Sequence, residues 1–182
     1  MNSPTSLGTR KVLSEPTQSW ERVDTPVNEG PAAMYHGGKT FLSFSASFCW
    51  TSSYQLGLLT YKSGDPTLKS SWTKTGPLFS SANGNYGPGH NGYVTNGPRA
   101  PLCLSCEPVE NGRLMTSCEH RFFQSPDGTE IWNVYHATKI TTGACDGNRY
   151  TAAKKVSWKS DGSPDFGKPD TVGTVLAGPS GE

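Results

Sequence analysis

Charge is scarce in this chain. Only 17% of its 182 residues are charged and the balance is +1, which withholds the basic surface that nucleic acid or an anionic membrane requires. A neutral partner such as a sugar is compatible with that balance. No apolar run approaches the length of a bilayer span. Met1-Asn2-Ser3-Pro4-Thr5 lacks the basic region and following apolar stretch of a secretion signal, so the chain as written reads as soluble and signal-less. Helical periodicity with caps is missing too, which argues against a helical domain.

Punctuation is abundant instead. Twenty-one Gly and 14 Pro, with 10% aromatic residues, fit many short strands and turns in one ordinary domain. A strand is expected at Thr9–Ser14, followed by Pro16. Ala32–Tyr35 meets a Gly37-Gly38 turn and returns as Phe41–Ser47, a hairpin signal. Gln55–Tyr61 and Ser71–Lys74 complete a four-strand unit. The order begins again at His90, with Phe122-Phe123, the Ser125–Gly128 turn, Ile131–Tyr135, the Thr141–Asn148 loop, Tyr150–Trp158 and the Asp161–Pro164 turn. Four strands per unit, repeated, is a propeller pattern, weak with two copies alone, and a small open β-sandwich is the alternative.

Within Asn28-Glu29-Gly30-Pro31, a carboxylate stands just before a strand. Gly30 has no Cβ and Pro31 no N–H, so the backbone can approach a ligand closely beside Glu29. That setting suits proton transfer, and it equally suits a surface Glu in a turn.

Asn28–Tyr35, Phe41–Ser47, Leu56-Gly57-Leu58-Leu59 and Gly87-Pro88-Gly89-His90-Asn91 together resemble glycoside hydrolase family 43. Ser45-Ala46-Ser47 and Cys49-Trp50 are most similar to its α-L-arabinofuranosidase branch. The resemblance covers nearly the whole chain except one central stretch. It implies an all-β fold, a partial five-bladed β-propeller of about two blades plus the outer strand of a third. The expected boundaries are 1–22 for the outer-strand remnant, 23–80 for the blade with Glu29, and 81–182 for the last blade, interrupted at 93–121. The open edges of so few blades would pair with something else or aggregate.

The implied chemistry is inverting hydrolysis of arabinose-containing plant polysaccharide or oligosaccharide. Inversion needs two separated carboxyl groups. Glu29 matches the general acid, whose pKa would have to be raised by burial and nearby negative charge. The family's base and tuning Asp lie on earlier blades, and none of Asp24, Asp65, Asp127, Asp146, Asp161, Asp165 or Asp170 opens an inner strand in the same way. Activity of this chain alone is therefore not expected. His90 matches an axial histidine that contacts a central ion, often through water; it is read as a substrate-side residue and a metal ligand, or as a structural histidine. No cofactor is required, although the full-length family can hold an ion such as calcium. Arg149 matches a loop of the last blade where it could hydrogen-bond sugar hydroxyls, or serve as a surface Arg. Trp50 could stack on a sugar or plug the gap between blades. The Asp165-Phe166-Gly167 stretch reads as a turn. The resembling enzymes are mostly secreted, in contrast to the signal-less start.

Tyr93–Arg121 breaks the pattern and carries Cys103, Cys106 and Cys118, three of the five cysteines. With His120 they form a chemically adequate zinc set and hence a zinc-stapled interaction domain. A disulfide-stapled loop is a second reading. The third is a translated intron, since splice-like codons are available at Gly92-Tyr93-Val94 and His120-Arg121 and removal joins Gly92 in frame to Phe122. Cys49 and Cys145 remain. In the implied blades both follow second strands and emerge on the face of Glu29 and His90, so a disulfide is expected between them, with two separate thiols as the alternative.

Overall fold

The computed structural model describes residues 9–92 and 123–181. Two antiparallel sheets follow one another along the chain. The first consists of β1 (Asn28–His36), β2 (Lys39–Ala46), β3 (Gln55–Tyr61) and β4 (Trp72–Phe79), paired in chain order. The second consists of β5 (Tyr86–Gly92), β6 (Phe123–Gln124), β7 (Ile131–Thr138), β8 (Arg149–Trp158) and β9 (Pro164–Asp165). Its order is β5-β7-β8-β9, with β6 also on β7. These are two blades of a propeller. Gly37 and Gly38, both at positive φ, supply the turn between β1 and β2.

Strand β1 starts earlier than its apolar run, at Asn28. The ladder with β2 slips between Glu29 and Ala32, and Gly30 lies in that slip at φ 56°. Such a bulge needs a residue that tolerates the left-handed region, and it twists the strand just where Glu29 stands opposite Ser45.

Side chains that alternate toward one face make the seam between the sheets. Met34, Phe41, Leu56 and Phe79 from the first meet Tyr135, Ala137, Val156 and Phe166 from the second in one buried cluster. Phe79 packs edge-on against Tyr135, with ring centroids 4.7 Å apart, a favourable aromatic geometry. Phe166, inside the stretch expected as a turn, is thus part of this core.

The far face of the first sheet is covered by the N-terminal segment. Leu13 and Trp20 pack on Phe44, Ala46 and Leu59. Gly57 makes room for Trp20: a Cβ there would fall 2.6 Å from the indole. Glu21 is fully buried and is held by Lys74 Nζ at 2.7 Å, by the Thr17 and Gln18 amides and by the Asn28 side chain. The expected strand at Thr9–Ser14 does not form. The segment crosses the face instead of joining an edge, tied by Ser14 Oγ to Asn28 and by Lys74 to the Glu15 carbonyl, so no outer strand of a third blade is formed there.

The zinc, disulfide-loop and intron readings of Tyr93–Arg121 lie outside the described residues. The ladder on either side is nevertheless informative. Gly92 pairs with Val134 and Phe123 with Trp132, leaving a single rung opposite Asn133. Joining Gly92 to Phe122 would let β5 and β6 continue as one strand along β7. Deletion of 93–121 is therefore expected to leave the thermal unfolding midpoint unchanged or raised; a drop of several degrees would mean that the segment supports the fold.

Candidate active site

Glu29 lies beside the seam, at the start of β1. Its partners come from both sheets. The Tyr54 hydroxyl, from the residue preceding β3, donates a short hydrogen bond to Glu29 Oε1. The Nδ1 of His90, on β5, is 3.5 Å from Glu29 Oε2. Ser45, opposite Glu29 on β2, accepts the His90 backbone N–H at 2.6 Å and also hydrogen-bonds the Tyr54 phenol. His90 has φ 54°, a costly backbone conformation for a residue with a Cβ, and the Ser45 bond helps to hold it.

The phenol of Tyr54 is tightly enclosed. Only 2% of the residue is exposed. Gly89 permits this, because a Cβ there would lie 2.3 Å from the Tyr54 ring. The Arg149 guanidinium, at the start of β8, stands 5.3 Å from the ring centroid, a cation–π contact between the two sheets. Arg149 also donates to the carbonyls of Ala144 at 2.9 Å, Gly87 at 2.8 Å and His136 at 2.9 Å. Those bonds turn the side chain inward, where it braces Tyr54 and the surrounding loops.

Cys49 and Cys145 are joined by a disulfide, with Cα atoms 5.4 Å apart. It links the loop after β2, which carries Trp50 and Tyr54, to the loop between β7 and β8, which supplies the Ala144 carbonyl to Arg149. Ser52 N–H donates to the Thr142 carbonyl beside it. Trp50, 49% exposed, is next to the disulfide on the open side.

The electrostatics run opposite to the expectation for a general acid. Burial raises the Glu29 pKa, but hydrogen bonds from His90 and Tyr54, with the charges of His90 and Arg149, outweigh it and hold the carboxyl below its ordinary range. The bond to Glu29 raises the His90 pKa against the opposing effect of burial. Burial, followed by the Glu29 charge, keeps the Tyr54 phenol protonated and hence a donor. What Glu29 lacks among these neighbours is negative charge. Asp65, Asp127, Asp146, Asp161 and Asp165 each accept hydrogen bonds within their own turns, Asp170 pairs with Lys154, and Asp24 accepts from Thr25.

No group of three His, Cys, Asp or Glu side chains that could hold an ion comes together among the described residues. The Nδ1 of His90 is turned to Glu29. Among the described residues, His90 alone does not make a site for the expected central ion.

Tyr54, Ser45 and Gly89 were missed as site residues from sequence. Gly89 beside His90 was the available signal, since a glycine in a strand marks a close approach.

Three outcomes are expected. Glu29→Gln should move the His90 NMR titration midpoint down toward the ordinary imidazole value; an unmoved midpoint would mean that the pair is not coupled. The pair's contribution to stability should be present above the unfolded carboxylate pKa, about 4.3, and be lost as pH falls through the lowered Glu29 value. It should be present below the unfolded imidazole pKa, about 6.5, and be lost as pH rises through the raised His90 value. The urea midpoints of wild type and Glu29→Gln should thus differ most between those limits. Separately, removing the disulfide by Cys49→Ala with Cys145→Ala should cost about 4 kcal/mol, as expected for so long a closed loop, read by denaturant unfolding; a loss under about 1 kcal/mol would mean that the loops hold without it.

The chain is similar to known proteins of one family. The model of the family "Glycosyl hydrolases family 43" matches residues 1–101. The extracellular exo-α-(1→5)-L-arabinofuranosidase of Streptomyces avermitilis is 39% identical over 96% of this chain and 32% of its own length. The α-L-arabinofuranosidase 43 of Humicola insolens is 34% identical over 92% of this chain and 30% of its own. Among solved structures, the α-L-arabinofuranosidase from Lactobacillus brevis superposes with a TM-score of 0.72 and 30% identity, covering 96% of this chain and 47% of that one. The chain spans about a third of the length of the curated relatives. With the family model matching more than half of it and its two sheets forming propeller blades, the chain belongs to glycosyl hydrolases family 43.

Proposed function

We propose that this chain is part of an inverting α-L-arabinofuranosidase that removes terminal arabinose from plant polysaccharide or oligosaccharide, with Glu29 as the proton donor to the leaving oxygen. The observation that carries the reading is the placement of Glu29 at the bulge of β1, with Tyr54 and His90 on its two oxygens. Names of relatives in this family that specify arabinofuranosidase activity give it support. Trp50, exposed beside the disulfide, offers an aromatic face for a sugar, and half-exposed His90 stands at the open side of Glu29. A base and a negatively charged neighbour that would raise the Glu29 pKa must come from elsewhere in the complete propeller. The reaction needs no cofactor. An axial ion such as calcium would require ligands beyond those that this chain's described residues bring together. An extracellular location is supported by the name of the Streptomyces relative and by the Cys49–Cys145 disulfide, which persists in oxidising surroundings.

The unaccompanied carboxylate also favours a second reading, a non-catalytic carbohydrate-binding module. The purified chain is expected to release no arabinose from a nitrophenyl arabinofuranoside; release that is lost in Glu29→Gln would contradict a missing base. A chimera decides between the readings. In place of the matched region of the Streptomyces avermitilis enzyme, this chain with 93–121 deleted should hydrolyse arabino-oligosaccharide and lose at least about a hundredfold in rate in Glu29→Gln. Binding without hydrolysis would favour the module.

A further inference from the structure

Glu29 accepts two donors that are not equivalent. Tyr54 is enclosed, and its phenol cannot turn away without breaking its contacts with Ser45 and with the Arg149 face. Its hydroxyl proton points at Oε1. A protonated oxygen is the weaker acceptor, so the carboxyl's own proton goes to the oxygen whose donor can yield: the enclosed Tyr54 bond cannot, whereas the longer His90 contact, 3.5 Å, can. The second oxygen, Oε2, faces the Nδ1 of His90, whose side chain is 51% exposed. A sugar approaching from solvent reaches that side and not the enclosed one.

We propose that Tyr54 is a positioning residue for Glu29: it reserves Oε1 as an acceptor and confines the acid proton to Oε2, the oxygen on the His90 side from which it can be delivered. This rests on the reading of Glu29 as the proton donor. Arg149 and the disulfide extend the device across the seam, for Arg149 braces the phenol from the second sheet and takes its own position from the Ala144 carbonyl, next to Cys145. The charged and titratable groups that face Glu29 are Tyr54 at the edge of β3, His90 on β5 and Arg149 on β8. His136 on β7 lies farther out, its ring 6.3 Å from that of His90.

The test is a carbon-13 NMR titration of the Glu29 carboxyl, which needs neither sugar nor turnover. Tyr54→Phe retains the ring over Arg149 and removes only the hydroxyl. The Glu29 midpoint should shift upward in this variant, while Arg149→Lys, which keeps the hydroxyl but weakens the brace, should shift it less. An unchanged midpoint in a folded Tyr54→Phe protein would overturn the proposal. Should that variant fail to fold, 3-fluorotyrosine at position 54 keeps the phenol and makes it a stronger donor; the Glu29 midpoint should then move down, and no movement would again overturn the proposal. The titration stands apart from the glycosidase reading: a chimera that binds but does not hydrolyse would sink that reading and leave the Tyr54 effect on Glu29 measurable.

Discussion

Everything at the candidate site depends on two sheets packing face to face. Phe79 against Tyr135, with Met34, Phe41 and Leu56 beside them, removes from water the apolar faces that neither sheet could bury alone. The site is assembled over the same seam. Glu29, Ser45 and Tyr54 come from the first sheet and its loops, His90 and Arg149 from the second. Losing the seam would separate the carboxylate from its cationic neighbours, so the fold's stability and the site's electrostatics are set by the same contacts. The disulfide works at the rim of this seam, where the core has thinned to loops.

A division of labour follows among the polar groups. Arg149, with three carbonyl acceptors and an aromatic face, organises structure and reaches Glu29 only through its field. Tyr54 and His90 touch the carboxylate. Because all of these groups donate or carry positive charge, this part of the propeller stabilises the ionised form. In the proposed role of proton donor, Glu29 would need negative charge from elsewhere to reverse this. The site here is therefore half of a balance: burial pushes the Glu29 pKa up, and its neighbours pull it down.

The sequence was most legible where one physical rule acts alone. Gln55–Tyr61 forms a strand with its expected bounds, and the Phe41–Ser47 run differs by a residue or two, since apolar alternation toward a buried face leaves one register. Legibility fell where context decides. Thr9–Ser14 has strand-like residues but lies across the face of the first sheet, where Leu13 packs, and packing took precedence over propensity. Gly30-Pro31 looked like a boundary and is a bulge inside β1. Tyr54 precedes a strand, so no periodicity marks it, and its importance follows from Gly89, distant in sequence and adjacent in space. Arg149 was visible as a residue of the site but not as a brace, because the three carbonyls that hold it come from separate loops and strands.

The central claim is that donors from both sheets hold Glu29 ionised, with no negative neighbour among the described residues to oppose them. The most direct measurement is the titration midpoint of the Glu29 carboxyl in the intact wild-type chain. The midpoint should lie below the ordinary range of a glutamate. A midpoint above that range, as for an acid already poised to donate near neutral pH, would contradict it.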